Sequence, residues 1–88
     1  MVELKNPLRE LLNKIIWDKR ICRENIVVAF ISRGSPDNVE YFSATQLVKV
    51  TRDYVYFVKN GVEKAIPLHR IIYVFNVKEK RYLYYNPH

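Results

Sequence analysis

The chain has 88 residues, of which 49% are hydrophobic and 27% charged, and carries a formal net charge of +6. That length leaves room for one domain, spanning residues 1–88, and excludes a second core. Its longest uninterrupted apolar run, Ile26 to Ile31, is too short to cross a bilayer, and Met1-Val2-Glu3-Leu4-Lys5 lacks the pattern of a signal peptide.

The first element is a helix. Asn6 suits an N-cap and Pro7 the first helical position. Leu8, Leu11, Leu12, Ile15 and Ile16 fall at i, i+3, i+4, i+7 and i+8, a single apolar stripe. The helix is expected from about Pro7 to Trp17 or Asp18, with Arg9, Glu10, Asn13 and Lys14 in solvent. Trp17 is expected to continue the stripe and anchor the core, while Asp18 ends the helix or orders a neighbouring Arg or His.

From Asn25 the periodicity becomes that of strands. Ile26 to Ser32 is β-branched and apolar on both faces, as a central strand requires. Arg33-Gly34-Ser35-Pro36-Asp37-Asn38 is a turn-rich loop, and Val39 to Phe42 a short strand. Leu47–Thr51 and Tyr54–Val58 form a hairpin around Arg52-Asp53. Asn60-Gly61 is a type I′ signal joining Tyr54–Val58 to Val62–Ile66. Ile71–Val77 and Arg81–Tyr85 close the chain through Lys78-Glu79-Lys80.

Two-residue loops set the register: Val50 opposite Val55, Val48 opposite Phe57, Phe57 opposite Lys64, and Val55 opposite Ile66. Val48, Val50, Val55, Phe57 and Ile66 would then face the helix. Lys49, Tyr54, Tyr56 and Ala65 would share the other face, either as a stacking surface for bases or as cover for a second layer. The fold class expected is α+β, one N-terminal helix packed on a curved antiparallel sheet of five to six strands, or a small open barrel.

Charge is unevenly placed. Residues 1–44 hold seven Lys/Arg against six Asp/Glu, and residues 45–88 hold eight against three. A basic C-terminal half points to one face meeting a polyanion, although a solubilising surface has the same composition. Cys22 is the only cysteine and has no Cys or His at metal-ligand spacing, so neither a disulfide nor a metal or other cofactor is expected. A reduced, cytoplasmic setting without a membrane partner follows. Two glycines, one glutamine and abundant Ile, Val, Tyr, Lys, Arg and Glu lean towards a thermophile.

The densest chemistry lies in Ala65-Ile66-Pro67-Leu68-His69-Arg70-Ile71. Pro67 stiffens a short connection that presents an imidazole and a guanidinium, groups suited to a phosphate or carboxylate. A lone His after a proline turn is also a common structural feature. Arg33 beside Gly34 is a second candidate at the sheet's rim, with a solvated loop arginine as the plain alternative. Cleaving a phosphodiester commonly needs an acid and a base on opposite sides of phosphorus, and the chain offers His69 and the terminal His88. A second acid could also come from Lys, Tyr or Asp18. No Walker loop or paired-carboxylate metal site is present, however, so binding is favoured over catalysis and no catalytic residue is assigned.

Trp17-Asp18 closing the helix, Arg33-Gly34 after the central strand, and Ile66-Pro67-Leu68-His69-Arg70-Ile71 together resemble the small, mostly archaeal RNA cyclic-group-end recognition domain family. The resemblance covers about residues 7–85, and Tyr82-Leu83-Tyr84-Tyr85 departs from the Trp-rich endings of relatives. It implies a module that recognises RNA ends bearing a cyclic phosphate, with a single-stranded end as partner and an RNA-processing enzyme as a further one. On that implication Arg70 and Arg33 pair with the phosphate, and His69 hydrogen-bonds a phosphate oxygen or the ribose. Tyr54, Tyr56 or Tyr73 stacks on the terminal base, while Lys49, Lys64, Lys78, Lys80 and Arg81 attract the backbone. The competing expectation is a protein-interaction module in which the Pro-x-His-Arg turn clasps two strands.

Overall fold

A computed structural model describes residues 7–32 and 38–86. The Asn6 cap and the Arg33-Gly34 loop lie outside the described residues. Helix α1 spans Pro7–Trp17, with Leu8, Leu12 and Ile15 buried. It ends where the Asp18 amide donates to the Lys14 carbonyl at 2.8 Å. Asp18 then accepts from the Arg20 amide at 3.0 Å and pairs with its guanidinium at 3.1 Å through both oxygens. Asp18 therefore orders an arginine as well as stopping the helix.

Trp17 corrects its expectation: it is 77% exposed. Nine residues beyond Leu8 at 3.6 residues per turn, it lies about 180° round the axis, on the side opposite the stripe.

Seven strands follow among the described residues: β1 (Ile26–Ile31), β2 (Val39–Ser43), β3 (Leu47–Val50), β4 (Tyr54–Lys59), β5 (Val62–Pro67), β6 (Ile71–Asn76) and β7 (Arg81–Tyr85). They form two antiparallel sheets, ordered β2-β1-β6-β7 and β3-β4-β5. The single sheet of five to six strands is thus corrected to two sheets, and they do not close into a barrel.

The division has a local cause. Two 3₁₀ turns, Ala44–Gln46 and Leu68–Arg70, carry the chain from one sheet to the other. The first is held by a capping box: the Ser43 hydroxyl accepts from the Thr45 amide at 3.2 Å, and the Gln46 side chain accepts from the Ser43 amide at 3.0 Å. The Gln46 amide group also donates to the Val58 carbonyl at 2.8 Å, so one side chain holds the turn and ties it to β4.

β1 is central, flanked by β2 and β6, as its apolar composition requires. The Asn60-Gly61 hairpin has the expected register, with Phe57 opposite Lys64 and Val55 opposite Ile66. Asn60 (φ 55°) and Gly61 (φ 78°) both take the left-handed conformation that a type I′ turn needs. Val50 faces Val55 as expected, but Leu47, not Val48, faces Phe57. Val48 is the extra residue of a bulge and is 41% exposed, while the larger Leu47 takes the core place.

The core lies between the helix and the two sheets. Leu8, Leu12 and Ile15 meet Val28, Phe30, Phe42, Val55, Phe57, Leu68, Ile71 and Val74 in one cluster. Phe42 stacks on Phe57 with centroids 4.1 Å apart, joining the sheets through their inner faces. Among the described residues, no helix is long and apolar enough to cross a membrane.

Candidate nucleic-acid interface

The turn that stood out in the sequence is the 3₁₀ turn Leu68–Arg70, between β5 and β6. Leu68 is its anchor, buried in the core cluster, and its amide donates to the Asp53 carbonyl at 2.9 Å. That bond ties the turn to the β3–β4 loop, so the turn is a clasp in the mechanical sense. Successive residues of a 3₁₀ turn point about 120° apart, and with Leu68 inward the next two side chains diverge.

They open onto different grooves. Arg70 lines an open groove of about 550 Å³ between the two sheets. Its apolar floor includes Phe30, Phe57 and Ile66, and its polar lining is Ser32, Glu40, Lys59, Lys64 and Arg70. Among the described residues, three cations thus meet one carboxylate. Among the described residues, neither Lys64 nor Arg70 has a carboxylate within ion-pair distance; the pairs there are Asp18–Arg20 and Glu79–Arg81.

His69 is exposed and lines a neighbouring groove of about 430 Å³ with Arg52, Asp53, Tyr54, Pro67 and Leu68. Tyr54 and Pro67 belong to both grooves and form the wall between them.

The remaining candidates lie on outward faces. Lys49 and Tyr56 are cross-strand partners, and the Lys49 ammonium sits 4.8 Å from the Tyr56 ring centroid. This cation–π contact holds the lysine over the ring on the outer face of the small sheet. Tyr73 belongs to the other sheet. It lies 6.3 Å from Tyr41, 6.4 Å from Phe75 and 5.2 Å from Tyr82, centroid to centroid. Tyr82 in turn lies 4.9 Å from Phe75 and 5.1 Å from Tyr85. Burial, then its hydrogen bond with Tyr41, pushes the Tyr73 phenol up to about 12, so it stays protonated at any physiological pH.

Of the residues singled out in the sequence, the structure brings Arg70 and Lys64 together, holds His69 next door, pairs Lys49 with Tyr56, and sets Tyr73 apart. Lys59 was missed because nothing local marks it. It reaches the groove from the end of β4, and its ammonium donates to the Tyr41 carbonyl at 3.4 Å.

A family model described as the MJ1316 RNA cyclic group end recognition domain matches residues 5–85. The chain is 34% identical to the UPF0248 protein MJ1316 of Methanocaldococcus jannaschii over 77 residues, 88% of this chain and 90% of the relative. It is 30% identical to a UPF0248 protein of Methanococcus vannielii over 77 residues, 88% of each chain. With a UPF0248 protein of Pyrobaculum islandicum the identity is 35% over 65 residues, 74% of this chain and 73% of the relative. No solved structure gives a significant match. With the family model spanning nearly the whole chain, the protein belongs to the RNA cyclic group end recognition domain family.

Proposed function

We propose that the protein binds RNA ends and holds a terminal cyclic phosphate in the groove lined by Lys59, Lys64 and Arg70. The observation that carries this reading is the convergence, among the described residues, of three cations from separate elements on one concave site with one acid, Glu40. A cyclic phosphate bears one negative charge and two free oxygens in a plane. A guanidinium donates to both at once, which an ammonium does not.

The apolar floor and Glu40 favour the monoanion over a linear terminal phosphate to the extent that they outweigh the added attraction of a dianion to the three cations. A second charge raises both the cost of leaving water and the repulsion from the carboxylate. A hydroxyl end brings no terminal charge to the site. His69 reaches the ribose or a phosphate oxygen from the adjoining groove, with the Tyr54 ring between the two. Lys49, Lys78, Lys80 and Arg81 add attraction for the backbone without reading sequence. The family's description supports RNA ends as the ligand.

The test is a phosphorus NMR titration of a nucleoside 2′,3′-cyclic monophosphate, observing the guanidinium of Arg70 alongside. Binding in the groove shifts both signals together, and the phosphorus signal stays in place with Arg70→Ala. A phosphorus shift that survives that substitution unchanged places the anion elsewhere.

A further inference from the structure

The outer face of the four-stranded sheet carries an aromatic surface that the groove does not use. Tyr41, Tyr73, Phe75, Tyr82 and Tyr85 stand ring to ring across it, neighbouring centroids 4.9 to 6.4 Å apart. Tyr41, Tyr82 and Tyr85 are 51%, 54% and 57% exposed.

Two backbone details build this face. Ala29 lies between Tyr41 and Tyr73 in register and is fully buried, although alternation along β1 turns it away from Val28 and Phe30 in the core. A methyl there lets rings two strands apart close over it. On β7, residues three apart should point to opposite faces. Tyr82 pairs with Phe75, but Tyr84 pairs with Val74 and Tyr85 with Tyr73. Leu83 is therefore an extra residue, and this bulge returns Tyr85 to the face that Tyr82 occupies.

We infer that this face stacks unpaired bases adjoining the captured end, so that the ligand is a single-stranded RNA terminus rather than a duplex end or a free nucleotide. The identity of the ligand rests on the RNA-end reading above. Contiguous exposed apolar surface of this kind marks an interface. Its chemistry favours bases: it is built of aromatic rings, whose faces accept any base, and four of the five carry a hydroxyl. Lys78 and Lys80 flank it on the turn before β7, where the intervening Glu79 is already paired with Arg81 at 2.8 Å. It is also continuous with the groove. Glu40 and Lys59 line the groove, Tyr41 follows Glu40 on the same strand, and Lys59 bonds the Tyr41 carbonyl. A strand leaving the groove past the β2 edge would meet Tyr41 first and Tyr82 last. A duplex buries the faces that these rings need.

The experiment titrates the intact protein with RNAs ending in a 2′,3′-cyclic phosphate: a mononucleotide, a trinucleotide, a hexanucleotide, and a blunt hairpin of matched length. Each is repeated with a hydroxyl end. The variants are the double substitutions Tyr82→Ala with Tyr85→Ala and Tyr82→Phe with Tyr85→Phe, both at exposed positions, with thermal unfolding checked in parallel. From mononucleotide to hexanucleotide, affinity should rise about 10- to 100-fold in the natural protein and in the Phe variant. The Ala variant should lose that rise and bind the cyclic mononucleotide as before. Equal affinity for mononucleotide and hexanucleotide, or a blunt hairpin bound as tightly as the hexanucleotide, overturns the inference. So does an Ala variant that changes only the oligomeric state by light scattering, which would make this face a contact between copies. Length dependence that the Ala variant loses, without preference for the cyclic end, leaves the base-stacking face standing and sinks the phosphate groove; preference for the cyclic end with a length dependence that the Ala variant keeps does the opposite.

Discussion

His69 and Arg70 are neighbours in the chain, yet they line separate grooves with Tyr54 and Pro67 as the wall between them. A 3₁₀ turn with Leu68 buried forces that divergence. The two substitutions should therefore differ. Arg70→Ala removes a charge-assisted hydrogen bond and should weaken binding of a cyclic-phosphate RNA by about 10- to 100-fold. His69→Ala should cost less, and neither should shift the melting temperature by more than a surface change does. Fluorescence anisotropy with calorimetry of each variant checks both. If both variants unfold, the turn serves as a clasp only.

Salt dependence separates charges that meet phosphate from those that only raise net charge. For single strands, the slope of log K against log salt is about −0.7 per phosphate neutralised. Lys64→Gln should reduce that slope by roughly one contact's worth. Lys19→Gln, in the turn after the helix and outside the groove, should leave it unchanged. Titrations across a series of salt concentrations give both slopes.

Trp17 and Leu12 make a contrast in stability. Leu12 is fully buried and Trp17 is 77% exposed. Leu12→Ala should destabilise the domain by about 2–5 kcal/mol. Trp17→Ala should lie within about 0.5 kcal/mol of the natural protein, although it removes the larger side chain. Denaturant unfolding of both distinguishes an exposed tryptophan from a core anchor.

Two groups give pH dependence of opposite sense. The Arg20 side-chain hydrogen bond, followed by the Arg20 amide, holds the Asp18 carboxyl below its ordinary 3.8. The stability it contributes is present above the ordinary carboxylate value and is lost as pH falls through the lowered one. Tyr73 is raised from 10.0 to about 12. Its contribution is present below pH 10, where the unfolded chain also keeps the proton, and is lost as pH rises towards 12. Carbon NMR of labelled tyrosines should show Tyr73 ionising near the top of that window, and Tyr73→Phe should remove that transition.

What could be read from the sequence was what is local. Leu8, Leu12 and Ile15 carry their burial in their spacing, and Asn60-Gly61 carries its turn and the register of the hairpin beyond it. Trp17 was misplaced where helical periodicity, carried one turn further, turns it outward. Val48 was misplaced because its register depends on a bulge that seats the larger Leu47 against Phe57, a matter of packing and not of alternation. The split into two sheets hangs on Ser43 and Gln46, whose capping box looks in sequence like an ordinary loop. The site divides likewise. His69 and Arg70 announced themselves through Pro67, whereas Lys59 enters the groove only once β4 and β2 are brought together. The aromatic face needs Ala29, Tyr41, Tyr73 and a bulge at Leu83 to coincide across four strands, and Tyr82-Leu83-Tyr84-Tyr85 shows no alternation that would reveal it.

The most direct test of end recognition is a binding titration of single-stranded RNAs identical except for a 3′ hydroxyl, a linear 3′ phosphate or a 2′,3′-cyclic phosphate, with the RNA recovered from each sample. The groove of Lys59, Lys64 and Arg70 predicts tightest binding of the cyclic end, with the RNA recovered unchanged. Equal affinity for all three ends would contradict it and leave a basic surface that holds RNA without regard to its terminus.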